Sequence, residues 1–168
     1  MTASIPFYLV DVFADAPFTG NPLGLVVDAE HIKEPVIELA GAARAAGDPP
    51  YGSLLVGPGG EVLAEERNTV ATGRDITAHP ELKLARWAAQ LDPEVAQGTS
   101  MYTSCQPCAM CANAIARSGL GRVVFALSGE QLQQLKPRGS VSPDAAEVAY
   151  KGPALFDEAR VPIDGYYG

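Results

Sequence analysis

Apolar and polar positions alternate or recur at helical spacing in a series of short, well-marked segments. Residues 5–13, IPFYLVDVF, concentrate β-branched and aromatic side chains and predict a strand. DAPFTGNPLG is turn chemistry, and LVVD predicts a second short strand. Over residues 34–46, Val36, Leu39, Ala40 and Ala43 recur at helical spacing, with Pro35 suited to a first turn and Gly47 a stop signal. YGSLLVGPGGEVLAEERN, beginning at Tyr51, predicts a β-hairpin around GPGG.

Further along, residues 79–91 predict a helix with Leu82, Ala85 and Ala89 on one face. TSMYTS reads as a strand, followed by a helix from about Pro107 to Ser118 that closes at Gly119, and RVVFAL as the next strand. SGEQLQQL opens with Ser128 and places Gln131 three residues later, a capping-box pattern. Residues 137–153, rich in Pro and Gly, predict a long surface connection, and PALFDEAR a last short helix. This order of elements argues for an α/β fold, a sandwich built on one mixed sheet. The chain has no internal repeat.

Composition narrows the function. The 168 residues can bury one core without disulfides, and 47% hydrophobic with 19% charged residues is ordinary for a globular domain. Twelve Lys+Arg against 20 Asp+Glu give a net charge of −8, which argues against a nucleic-acid partner. No run of 18 apolar residues predicts a membrane span, and the N-terminus does not read as a signal peptide. The three cysteines, Cys105, Cys108 and Cys111, fall within seven residues. That clustering suits a metal or redox site in a reducing compartment, so a cytoplasmic location is expected.

Candidate chemistry centres on TSCQPCAMC. If Pro107 takes the first helical position, Cys108 and Cys111 stand three apart on one face of a first turn, and both sulfurs can reach one ion. Two thiolates and one imidazole suit a tetrahedral zinc ion, with a fourth place left for water. His79 opens a helix 29 residues before Cys108, whereas His31 lies in a polar stretch ahead of the first helix and is expected at the surface. A CxxC alone would also fit a redox pair or half a zinc knuckle. HPE at 79–81 followed by PCAMC at 107–111 matches the zinc-deaminase pattern H-x-E…P-C-x-x-C in full and in order.

On these motifs, with PPYGSLLV, ERN and SGLGRVVFAL, the chain resembles the cytidine-deaminase-like superfamily, and more closely its branch of nucleobase, nucleoside and tRNA adenosine deaminases. The similarity covers roughly residues 36–130. It implies a three-layer αβα sandwich around a mixed sheet, a homodimer, and one Zn²⁺ per chain held by His79, Cys108 and Cys111. It further implies that Glu81 shuttles protons and that Asn68 hydrogen-bonds a heterocycle. Read without the resemblance, Glu81 would be a helix N-terminal carboxylate and Asn68 a loop asparagine satisfying its own turn. Relatives carry a small residue with a free N–H at the place of Pro80, so this proline is expected to narrow the substrate rather than touch the chemistry. Tyr51 and the terminal DGYYG offer aromatic faces for stacking. Cys105 is expected to be a buried thiol; as a fourth ligand it would instead close the site.

The expected activity is hydrolytic release of ammonia from a small amino-substituted N-heterocycle, with a guanine-type purine leading. Alternatives are a cytosine-type or tRNA adenosine deaminase and, in another class, a non-catalytic zinc-binding assembly module. Residues 1–32 are expected to be an extension preceding a deaminase domain of 33–168. The extension, as far as Asp28, resembles the opening of phenazine-biosynthesis-like isomerases through its PF-x-GNP turn. From it we expect a strand added to the sheet or a segment serving a dimer contact.

Overall fold

A computed structural model describes residues 7–12, 21–26, 29–136, 149, 151 and 156–166. Two strands, β1 (Phe7–Val12) and β2 (Asn21–Val26), pair antiparallel with Phe7 opposite Val26 and Val12 opposite Asn21. They form a two-stranded sheet of their own instead of adding a strand to the main sheet. Helix α1 (Ala29–Ala45) begins earlier than its periodicity predicts. Pro35 thus lies inside the helix, where it has no N–H to donate to the carbonyl four residues back, and is not in a first turn. His31 belongs to the helix, and its exposure lies outside the described residues. Gly47, at φ +89°, provides the left-handed residue that stops α1, and Asp48 N–H returns to the carbonyl of Ala43.

The main sheet contains β3 (Gly52–Val56), β4 (Val62–Arg67), β5 (Ser100–Cys105) and β6 (Arg122–Leu127), in the order β4-β3-β5-β6. β3 runs antiparallel to β4 and β5, whereas β5 and β6 are parallel, so the sheet is mixed. Alternation sorts its side chains into two layers. Leu54, Val56 and Tyr102 cluster with Val36 of α1 on one face. Leu55 and Met101 face the other way, onto Leu84, Ala85 and Ala88 of α3 (Pro80–Ala88) and Ile115 of α5 (Ala109–Ile115). Helices cover both faces, as a three-layer αβα sandwich requires. Burying one of these leucines contributes roughly 1.5–3 kcal/mol. Gly52 marks the closest approach of α1: a Cβ there would stand 2.5 Å from Leu39 Cβ and 2.7 Å from Ala40 N.

The short helices α2 (Val70–Gly73), with four residues, and α4 (Pro93–Gly98), with six, lack enough length to show a period in the sequence. The inward face of α3 is Glu81, Leu84, Ala85 and Ala88; Leu82 is half-buried and Ala89 exposed, so the expected face is rotated by about one residue. α5 begins at Ala109, with Cys108 as its N-cap and Pro107 outside it, and a turn over 116–119 follows. The capping box at α6 (Gly129–Leu135) is present: Ser128 Oγ accepts from Gln131 N–H and Ser128 N–H donates to Gln131 Oε1.

Residues Met1–Arg138 form one compact unit, and Gly139–Gly168 a second that contains the expected short helix as α7 (Phe156–Arg160). Apart from positions 149 and 151, the expected connection over 137–153 lies outside the described residues.

Candidate metal centre

Two helix starts build the site. His79 caps α3 with extended backbone (φ −73°, ψ 140°), and Pro80 takes the first helical position, where its missing N–H breaks no helical bond. Cys108 caps α5 in the same manner (φ −67°, ψ 170°), while Cys111 lies in its first turn and is fully buried. Cys108 is therefore not itself helical; the two sulfurs converge because a cap and the residue three beyond it share one side of the helix start.

His79 Nδ1 lies 3.7 Å from Cys108 Sγ and 3.5 Å from Cys111 Sγ, and the three donor atoms are all within 4.8 Å of one another. A tetrahedron with metal–sulfur bonds of about 2.3 Å and metal–nitrogen bonds of about 2.05 Å has a sulfur–nitrogen edge of about 3.6 Å. The observed separations match that edge, and a soft S₂N donor set suits zinc, so the residues fit the ion. Electrostatics agree. The Cys108 thiol is pushed down to about 3, chiefly by the hydrogen bond it accepts from Cys111 and then by His79; the same bond, with burial, pushes Cys111 up. Cys105 is buried and free but outside the group, as expected of a thiol that is not a ligand.

Glu81 enters this centre from the first turn of α3, 5% exposed. Its Oε1 accepts from Thr103 Oγ1 at 2.9 Å, and its Oε2 lies 3.8 Å from Cys111 Sγ. Burial is the largest influence on its carboxyl and raises it above the usual range, which is what proton transfer near neutrality needs. Thr103 and its partner Ser53 were not singled out in the sequence. Hydroxyls in a strand are common, and only the pairing register brings these two beneath Glu81.

Asn68 follows β4 and is 1% exposed. Its backbone N–H donates to Tyr51 O, and its Oδ1 accepts from Val70 N–H at 3.0 Å, so the Asx turn considered for it is present. That bond fixes the amide orientation, with Nδ2 as the donor end. Lys83 of α3 ties this corner together: Nζ reaches Glu66 Oε2 at 2.5 Å, Arg67 O at 2.7 Å and Thr69 Oγ1 at 3.4 Å. Tyr51 is half-buried, and its hydroxyl is raised by burial and then by Cys105, Glu81 and Cys108. Tyr166 of the terminal DGYYG is exposed within the second unit, and Tyr167 lies outside the described residues.

Comparison with known proteins agrees with this geometry. The cytidine and deoxycytidylate deaminase zinc-binding region matches residues 27–127. A probable cytosine deaminase of Schizosaccharomyces pombe is 30% identical over 152 residues, covering 83% of this chain and 92% of that protein. The guanine deaminase of Bacillus subtilis is 40% identical over 116 residues, covering 68% of this chain and 65% of that protein. The X-ray structure of guanine deaminase from Bacillus subtilis superposes with a TM-score of 0.65 at 25% identity, over 83% of this chain and 93% of that one. With a family match that spans both metal-binding helix starts, this chain belongs to the cytidine and deoxycytidylate deaminases, zinc hydrolases that act on C–N bonds.

Proposed function

We propose that this deaminase releases ammonia from a guanine-type purine, using Glu81 as its proton carrier. The observation that carries the reading is the buried Glu81 carboxyl set directly beside the His79–Cys108–Cys111 triangle. When bound, zinc supplies a water that ionises near neutral pH. His79, Cys108 and Cys111 hold the ion. Glu81 would take one proton from the attacking water and deliver it to a ring nitrogen, then carry the second proton, from the new hydroxyl, to the amino group as it departs as ammonia. Asn68 presents Nδ2 to an acceptor on the ring, and Tyr51 supplies an aromatic face beside it. Pro80 is fully buried and offers no N–H, so a carbonyl turned toward it loses a donor.

The choice of a purine is supported by the likeness to guanine deaminase in both sequence and structure. A cytosine-type pyrimidine is the second reading, favoured by the relative matched over 92% of its length. The net charge of −8 disfavours tRNA as substrate. We place the enzyme in the cytoplasm as a homodimer, with residues 1–32 an extension to a deaminase domain of 33–168. Among the described residues no helix is long and apolar enough to cross a membrane.

Ammonia release from a panel of guanine, cytosine, adenine, adenosine and pterins tests the reading, with Glu81→Gln and Pro80→Ala beside the wild type. Guanine should give the highest kcat/KM, and Glu81→Gln should lose at least about 100-fold while keeping its zinc. Pro80→Ala should alter the ranking of carbonyl-bearing bases. No release from any base would leave a zinc-binding assembly module in its place, and equal release by Glu81→Gln would remove Glu81 as the proton carrier.

A further inference from the structure

The face of the sheet beneath α3 and α5 is apolar at Leu55 and Met101 and turns polar two residues along each strand, at Ser53 and Thr103. These two are direct partners in the β3–β5 register and are 0% and 2% exposed. Valine at 103 or alanine at 53 would fill similar space, with no polar atom to satisfy. The hydroxyls therefore call for an explanation in what they touch. Ser53 Oγ and Thr103 Oγ1 are 2.9 Å apart, and Thr103 Oγ1 is 2.9 Å from Glu81 Oε1.

Counting protons gives this chain a direction. Each hydroxyl has one proton to donate: Ser53 donates to Thr103 Oγ1, and Thr103 donates to Glu81 Oε1. The competing acceptor for Thr103, the carbonyl of Gly52, is farther at 3.5 Å and uncharged. With Ser53 occupying one lone pair of Thr103, the remaining proton is directed at Glu81.

We propose that Thr103, oriented by Ser53, is the positioning residue that pins Glu81 Oε1 and leaves Oε2 as the one oxygen available for proton transfer. This rests on Glu81 carrying protons as proposed above. Pinning one oxygen stops the carboxylate from rotating between two equivalent acceptors, and keeps the other on the Cys111 side, toward the metal group. The effect belongs to the chemical step, because neither hydroxyl holds the ion.

Crystal structures and kinetics of the wild type, Thr103→Val, Thr103→Ser and Ser53→Ala test it. In the wild type, zinc-free and zinc-loaded, the Glu81 carboxylate should hold one orientation with Oε1 on Thr103, and in Thr103→Val it should turn or split. Thr103→Val should lose about 10–100-fold in kcat with KM and zinc stoichiometry unchanged. Thr103→Ser should restore both orientation and rate, and Ser53→Ala should fall between. An unmoved carboxylate in Thr103→Val, or a Thr103→Ser variant as impaired as Thr103→Val, overturns the proposal in favour of packing alone. Should the wild type deaminate nothing, the proposed function fails, while the carboxylate orientation still decides this inference.

Discussion

Three thiols lie within seven residues, yet only two of them face the imidazole of His79. Cys105 ends β5 with its thiol in the core, where burial raises it above the ordinary thiol range, so it resists ionising. Cys105→Ser should accordingly bind one equivalent of zinc, as the wild type does. Cys108→Ser should weaken binding by more than the roughly 10–100-fold that losing an outer hydrogen-bond partner costs. Metal content after dialysis against a weak chelator separates the two. These ligands were legible in the sequence because histidine and cysteine are scarce and their spacing is tied to helix starts. Thr103 and Ser53 were not, since a hydroxyl acquires meaning only when a strand 50 residues away is set beside it. Pro107 misled by its type: it fits a first helical turn, but the chain stays extended through Cys108.

At the scale of elements, a helix as short as α2 cannot hold itself, and Asp48 holds it. The Asp48 carboxylate is 5% exposed; Oδ1 accepts from Ala71 N–H at 2.8 Å and Thr72 N–H at 2.9 Å, and Oδ2 from Thr72 Oγ1 at 2.8 Å, with Arg67 Nη1 at 3.6 Å. The hydrogen bond from Thr72 N–H does most to hold its carboxyl below the usual range, followed by the Thr72 hydroxyl, Ala71 and Arg67. A depressed carboxyl stabilises the fold above the unfolded value of about 3.9 and loses that contribution as pH falls through the folded value. Asp48→Asn should lower the denaturant midpoint at pH 7, and the gap from wild type should close below about pH 4. A gap independent of pH would mean that the ionised form is not what matters. The segment so anchored joins Asn68 to His79, so the variant should also weaken zinc binding. The hairpin, β5, β6 and the capping box were readable from alternation and turn residues. Helix limits were not, because caps such as Cys108 and the interior Pro35 depend on contacts beyond the local pattern.

Across the whole molecule, α3 and α5 each bring part of the ligand set, so a bound ion ties together two helices of the same core cluster. Metal present only in the folded state adds stability, about 3 kcal/mol at a free concentration near a hundred times its Kd, or roughly 5–10 °C in Tm for a chain of this size. Stripping zinc should lower Tm by that amount and readdition should restore it, as a thermal melt with and without chelator will show. The layer order was legible from the succession of elements; the separate pairing of β1 with β2 was not, because a strand's partner is a property of the assembled fold. One consequence follows from the antiparallel register of β3 and β5. A slip of β5 by a single residue, in the direction that puts Tyr102 opposite Ser53, would turn Thr103 toward α1 and bring an aromatic side chain under Glu81. Misaligned folding would thus produce a protein with no means of aiming its acid, and an inactive fraction is what slow refolding should leave behind.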